Sequence, residues 1–149
     1  MSTGFDLTHF TETSGFLDKP GNSKECAVIY DTKIQCASAS ARDSVLDKLA
    51  AVAKHAEEAE DGTYTFLVLK SLDNDDNIRI FERYATWEAL NFHQSGIELV
   101  NLLVGSKEEI KSLEGRPYVP NLKGWLHRWK INKVQLTFIM FDEGVAPLA

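Results

Sequence analysis

The chain has 149 residues, 44% of them hydrophobic and 26% charged, enough for one domain that buries its own core without a disulfide or metal staple. Its 16 basic against 22 acidic side chains leave a net charge of −6. That balance excludes a surface built to neutralise nucleic-acid phosphates, and no apolar run reaches the ~18–20 residues that cross a bilayer.

Residues 1 to about 24, rich in Ser, Thr, Gly and Asp and punctuated by Pro20-Gly21, read as an N-terminal arm or loop. Residues 25–149 then form a single domain with a C-terminal extension from about 105. The opening "MSTGFDLTHFTETSG" has neither the basic start nor the apolar stretch of a secretory signal. Cys26 and Cys36 flank one extended segment and lie too far apart along it to pair. A reduced, cytoplasmic protein is expected.

"CAVIYDTKIQC" (26–36) has the β-branched and aromatic content of a strand. "SASARD" follows as a helix start, with Ser40 as N-cap and Asp43 in the first turn. Val45, Leu49, Val52 and Ala56 then recur on one helical face, and Gly62 ends the helix. "TYTFLVLKSL" (63–72) and "NIRIFERYA" (77–85) are strands, and the polar "DNDD" between them predicts an antiparallel hairpin. Asp73, Asp75 and Asn77 imitate the start of a calcium loop, but the mid-loop glycine is missing and Tyr84 stands where the bidentate glutamate belongs.

Thr86 caps a second helix whose stripe is Leu90, His93, Ile97, Val100 and Val104, with Phe92, Leu99 and Leu103 on another side. Gly105-Ser106 ends it, "SKEEIKSL" reads as a short further helix, "EGRPYVPNLKG" as a loop, and "KVQLTFIMF" (133–141) as the final strand. The order β-α-β-β-α-β predicts an α+β, ferredoxin-like subunit, one antiparallel sheet with its helices on one face. The other face, lined by residues such as Val134, Leu136 and Phe138 or their alternates, would be bare in a monomer, so a homodimer pairing two sheets is expected.

"DGTYTFLVLKSLDNDDNIRIFERYATWEALNFHQS" (61–95) resembles the antibiotic biosynthesis monooxygenase (ABM) family of dimeric α+β barrels. The resemblance rests on Gly62 in a turn, Glu82 with Tyr84 at the hairpin's end, Ala89-Leu90, and then His93. It covers about residues 26–104. The chain departs from the pattern in having Tyr84 where tryptophan is commoner, in lacking a second histidine soon after His93, and in residues 105–149. It also lacks the first-strand asparagine of the haem-degrading relatives, which argues against haem breakdown. The resemblance implies oxygenation of an electron-rich phenol, quinol or polyketide-like aromatic by molecular oxygen, without a cofactor.

The residues accommodate that chemistry. There is no G-x-G-x-x-G, Walker, C-x-x-C or H-E-x-x-H sequence, and the four histidines at 9, 55, 93 and 127 are scattered, so neither a resident cofactor nor a metal is expected. Oxygenation without one needs an apolar pocket, a base and donors that hold the substrate anion. His93 is the candidate base, against the alternative of a core imidazole satisfied by one partner. Glu82 either orients His93 or pairs with a cation, and Tyr84 either donates to a ligand oxygen or packs. Tyr64 and Phe66, on one strand face, are candidates for stacking on an aromatic ligand, with core packing as the alternative; Trp87, Leu90, Ile97 and Trp125 complete the candidate substrate site. Trp125, His127 and Trp129 form an aromatic-basic cluster suited to a pocket mouth or a dimer contact. Arg79 and Arg83, on the opposite sheet face, are interface or solvent residues. The competing functions are a non-catalytic carrier of a small molecule and a cofactor-free cyclase, isomerase or decarboxylase on the same fold.

Overall fold

Alternating apolar residues along 28–36, 63–71 and 77–84 become three strands because each can turn one set of side chains to the helices and the other outward. The computed structural model describes residues 9–19 and 25–120. Its elements are β1 (Phe10–Phe16), β2 (Val28–Cys36), α1 (Ala39–Ala59), β3 (Thr63–Ser71), β4 (Asn77–Tyr84), α2 (Trp87–Gln94), α3 (Ile97–Gly105) and β5 (Ile110–Tyr118). They form one antiparallel sheet in the order β1-β3-β4-β2-β5. Strands β2 to β5 with their helices reproduce the expected ferredoxin-like βαββαβ unit, and β1 extends the sheet beyond β3.

The core lies between the sheet and the helices. Val45, Leu49, Val52 and Ala56 of α1 pack against Ile34, Phe66, Val68, Ile78 and Ile80, with Leu102 of α3 closing the cluster. A smaller cluster of Val28, Tyr30, Tyr84 and Leu90 lies under α2, with Trp87 packed against it. The outward face carries ion pairs. Arg79 lies 2.9 Å from Asp31. Arg83 is not a solvent residue: it is buried, and its Nη1 donates to Asp18 and to Thr65, each at 3.1 Å.

Four local expectations change. Residues 10–16, expected within an arm, form β1, because pairing with β3 supplies what their polar composition lacks. The α1 cap is Ser38, not Ser40: its backbone is extended and its Oγ accepts from Ala41 N at 3.1 Å, so Asp43 falls beyond the first turn. The segment expected as helix and then loop, 106–118, instead supplies β5 along the free edge of β2. Pro117, without an N–H, is tolerated there because an edge strand leaves one side of its ladder open.

The fourth change affects the site. The second helix is two, broken at Ser95-Gly96, where Ser95 Oγ donates to Asn91 O at 2.8 Å and Gly96 N donates to His93 O at 3.1 Å. The break rotates the inward face, so Leu90, His93 and Leu102 are buried whereas Ile97 and Val104 are exposed. The proposed final strand at 133–141, with Val134, Leu136 and Phe138, and the cluster Trp125, His127 and Trp129 lie outside the described residues.

Candidate active site

His93 reaches the interior because α2 packs tightly on the turn after α1. A Cβ on Gly62 would sit 2.5 Å from the Ala89 Cβ, so glycine permits this approach. Thr86 fixes the start of the helix, its Oγ1 accepting from Ala89 N at 3.0 Å. His93 then lies one turn into the core, with 2% of its side chain exposed.

Its Nδ1 is 2.7 Å from Oε1 of Glu60, a carboxylate just beyond α1 that also accepts from Thr63 Oγ1 at 2.7 Å. Burial pushes the Glu60 carboxyl up, but hydrogen bonding and charge from His93, aided by Thr63 and His55, hold it below its ordinary value. In the neutral ring whose Nδ1 donates to this carboxylate, the other nitrogen carries the lone pair. That nitrogen, Nε2, is buried and has no hydrogen-bond partner among the described residues. The ring is wedged between Phe66 and Tyr84, at centroid distances of 5.1 and 5.6 Å.

Beside it lies a cavity of about 210 Å³ between sheet and helices, lined by His93, Glu82, Tyr30 and Thr32 and by apolar side chains including Phe66, Ile80, Leu99 and Leu102. Glu82 enters from β4, accepting from Tyr84 Oη at 2.5 Å and from Thr32 Oγ1 at 2.7 Å. Its carboxyl is pushed above its ordinary value by burial, with the nearby His93 and these two donors working against the rise. Burial, with Glu82 alongside, raises the Tyr84 phenol far above its usual range, so it remains a donor. Tyr30 is likewise raised by burial. Gly115 of β5 leaves room for it: a Cβ there would lie 2.4 Å from the Tyr30 hydroxyl.

Two buried carboxyls thus have opposite tendencies, Glu60 charged and Glu82 inclined to stay protonated. Because its folded value is raised, Glu82 contributes stability that is complete below its unfolded value near 4.5 and lost as pH climbs through the folded value. Glu82→Gln removes that dependence. Urea melts of variant and wild type at a series of pH values are expected to move in the variant's favour as pH rises above about 4.5. A difference that does not change with pH would contradict the raised carboxyl.

The structure brings His93, Glu82, Tyr84 and Phe66 together. Trp87 and Leu90 belong to the neighbouring cluster around Tyr84, and Ile97 is exposed. Tyr64 parts company with Phe66: a register shift between Thr63 and Thr65 breaks the alternation, and Arg83 and Cys26 become its electrostatic neighbours. Trp125 is outside the described residues. Sequence reasoning missed Glu60, although it follows Ala56 by one helical turn and so continues the buried stripe of α1.

Among the described residues, no group of three or more His, Cys, Asp and Glu side chains is placed to hold a metal ion. No helix there is long and apolar enough to cross a membrane.

The fold and this inward-facing imidazole define a small α+β protein with a ligand-sized cavity between helix and sheet. Residues 28–99 match the model of the antibiotic biosynthesis monooxygenase (ABM) family, the family that the Gly62…Glu82-x-Tyr84…His93 pattern resembles. No curated protein matches in sequence. Among solved structures, a candidate monooxygenase from Lactobacillus acidophilus NCFM is similar over 74% of this chain at 15% identity and a TM-score of 0.58, and the match spans 48% of that larger protein. PA3566 from Pseudomonas aeruginosa aligns over 64% of this chain and 94% of its own, at 15% identity and a TM-score of 0.58. Rv0793 from Mycobacterium tuberculosis aligns over 62% and 93%, at 22% identity and a TM-score of 0.56. At these identities the likeness is one of fold.

Proposed function

We propose that this protein is a cofactor-independent monooxygenase that uses molecular oxygen to oxidise a phenolic or quinol-like aromatic. The observation that carries the reading is the two-sided environment of His93: Nδ1 is held by a carboxylate, and the ring, its Nε2 buried and without a partner among the described residues, lines a largely apolar cavity. In that position Nε2 takes the proton of a substrate hydroxyl. The resulting electron-rich anion reduces oxygen; one oxygen atom enters the product and the other leaves as water with two substrate hydrogens. Glu82, whose burial favours its neutral form, supplies a donor on the β4 side, where negative charge develops, and Tyr84 is bonded to it from behind.

The cavity's size narrows the substrate. At about 210 Å³ it exceeds the ~150 Å³ apolar cavity that takes up benzene, so one or two fused rings fit inside, and a polyketide-sized polycycle would extend through the mouth. A homodimer built through the helix-free sheet face completes the proposal, since Ile29, Leu67, Leu69 and Phe81 remain partly exposed there. Cys26 and Cys36 are buried and form no disulfide among the described residues, which suits the reducing cytoplasm.

Oxygen uptake with one- and two-ring hydroquinones, measured against autoxidation without added cofactor, tests this. His93→Ala is expected to lower the protein-dependent rate at least ~10-fold, the lower end of losses for a general base being larger still. Equal rates in wild type and folded variant would remove His93 from the chemistry. Tight binding of the same compounds without uptake would favour a carrier.

A further inference from the structure

The cavity has two chemically different ends, because the residues that face it change character along the strands. On β2 the inward positions run Tyr30, Thr32 and Ile34; on β4, Glu82 lies opposite Tyr30 and Ile80 opposite Thr32. His93 and Gln94 of α2 join the polar end. The other end, roughly 13 Å away along β2, is hydrocarbon: Ile34, Leu49, Leu102 and Leu103, with Leu113 of β5 opposite Ile34. Leu103 and Leu113 line the cavity and are also 37% and 46% exposed, so the cavity opens to solvent between α3 and β5, at its apolar end. Beyond that mouth the apolar surface continues. Val100 lies one helical turn before both Leu103 and Val104, and it is exposed, as are Val104 and Ile97. The α3 sequence, IELVNLLVG, is apolar on nearly every side, a pattern that normally goes with cover on both faces. Its one charged side chain, Glu98, turns to His55 at 3.3 Å, which leaves the outer apolar stripe uncharged.

We propose that the site takes an amphipathic aromatic, with a hydroxylated ring at the polar end and a hydrocarbon tail that leaves through the Leu103–Leu113 mouth and lies along the outer face of α3. This assignment rests on the reading of the cavity as an oxygenase site and gives that substrate a second half. The polar end alone supplies hydrogen-bonding groups, so the hydroxylated end of the ligand is the one that goes in deepest. A charged or strongly polar group at the other end would give up its water against Ile34, Leu49 and Leu102 and gain no partner. An alkyl chain gives up nothing there, and its removal from water adds affinity in proportion to the area covered. The cavity's 210 Å³ holds the ring but not a long chain as well, so the chain has to emerge, and the surface it meets at Leu103 is continuous with the cavity wall. The homodimer proposed through the helix-free sheet face lies on the opposite side of the sheet and leaves α3 open.

Calorimetric titration of the full chain with methylhydroquinone and with octylhydroquinone, both without oxygen so that neither is consumed, tests this. The octyl compound is expected to bind at least ~30-fold tighter, as burial of about a third of the extra chain gives. The ratio of the two affinities is the readout, because damage to the fold lowers both together. Leu113→Thr at the mouth and Val104→Asn on the outer face of α3 are each expected to lower that ratio at least ~3-fold. Both positions are exposed, so the variants leave the core intact. A smaller ratio in wild type would overturn the proposal and leave the outer face of α3 to a second copy of the chain or to residues 121–149. A ratio that neither substitution lowers would overturn it too. Oxygen uptake reads separately: none with either compound would remove the oxygenase reading, while the affinity ratio still decides the tail.

Discussion

Glu60→Ala is expected to lower the free energy of unfolding by about 3–5 kcal/mol at neutral pH, since each buried polar group left without its partner costs about 1–3 kcal/mol and two are stranded. Glu60 and His93 side chains are 7% and 2% exposed, so neither has water to fall back on. Removing the carboxylate strands the His93 Nδ1 and the Thr63 hydroxyl together. The loss has a pH signature. Glu60 is held below its ordinary 4.5, so its stabilisation is present above that value and disappears as pH falls through the lower folded one. Urea midpoints of wild type and variant should therefore converge in acid. Parallel curves down to the lowest pH would show that the carboxylate's charge does not stabilise the fold.

Phe66→Ala is expected to cost about 3–5 kcal/mol as well, by a different mechanism. Phe66 is 1% exposed, belongs to the main core and also forms a wall of the cavity. Truncation removes buried aromatic surface, takes away the ring 5.1 Å from His93, and adds the vacated volume to the cavity. Calorimetry should report a large drop in melting temperature. In the folded fraction, affinity is expected to shift toward bulkier aromatic ligands. Unchanged ligand preference would mean that Phe66 packs the core without shaping the ligand's space.

The contrast between these residues shows what was legible. Phe66, Glu82, Tyr84 and His93 lie on periodic elements whose faces follow from alternation or helical phase, and the Glu82-x-Tyr84…His93 interval carried the family pattern. Glu60 was obscured by "EEAEDG", where acids cluster as on any solvated helix end and only its phase with Ala56 marks it as inward. Tyr64 was misplaced because a bulge leaves no mark in alternation. Ile97 was misplaced because the stripe was carried unbroken through Ser95-Gly96, where side-chain and backbone bonds end one helix and allow another to start with a new phase. β1 and β5 escaped notice because edge strands take their stability from the neighbour they pair with, and their own composition is polar or interrupted by proline.

Lys19 gives the N-terminal segment a reach beyond its sequence position. Its ammonium donates to the carbonyl of Ala56, at 2.8 Å, and to that of Glu60, tying off the end of α1 where the His93 partner sits. It lies outside residues 28–99, as does Gly115, which admits Tyr30 to the cavity wall. The family-matched stretch thus contains His93, Glu60 and Glu82, and its flanks contain part of their mounting. Transplanted into an ABM-family frame, residues 28–99 would carry His93, Glu60 and Glu82 without the clamp and the clearance that keep them aligned.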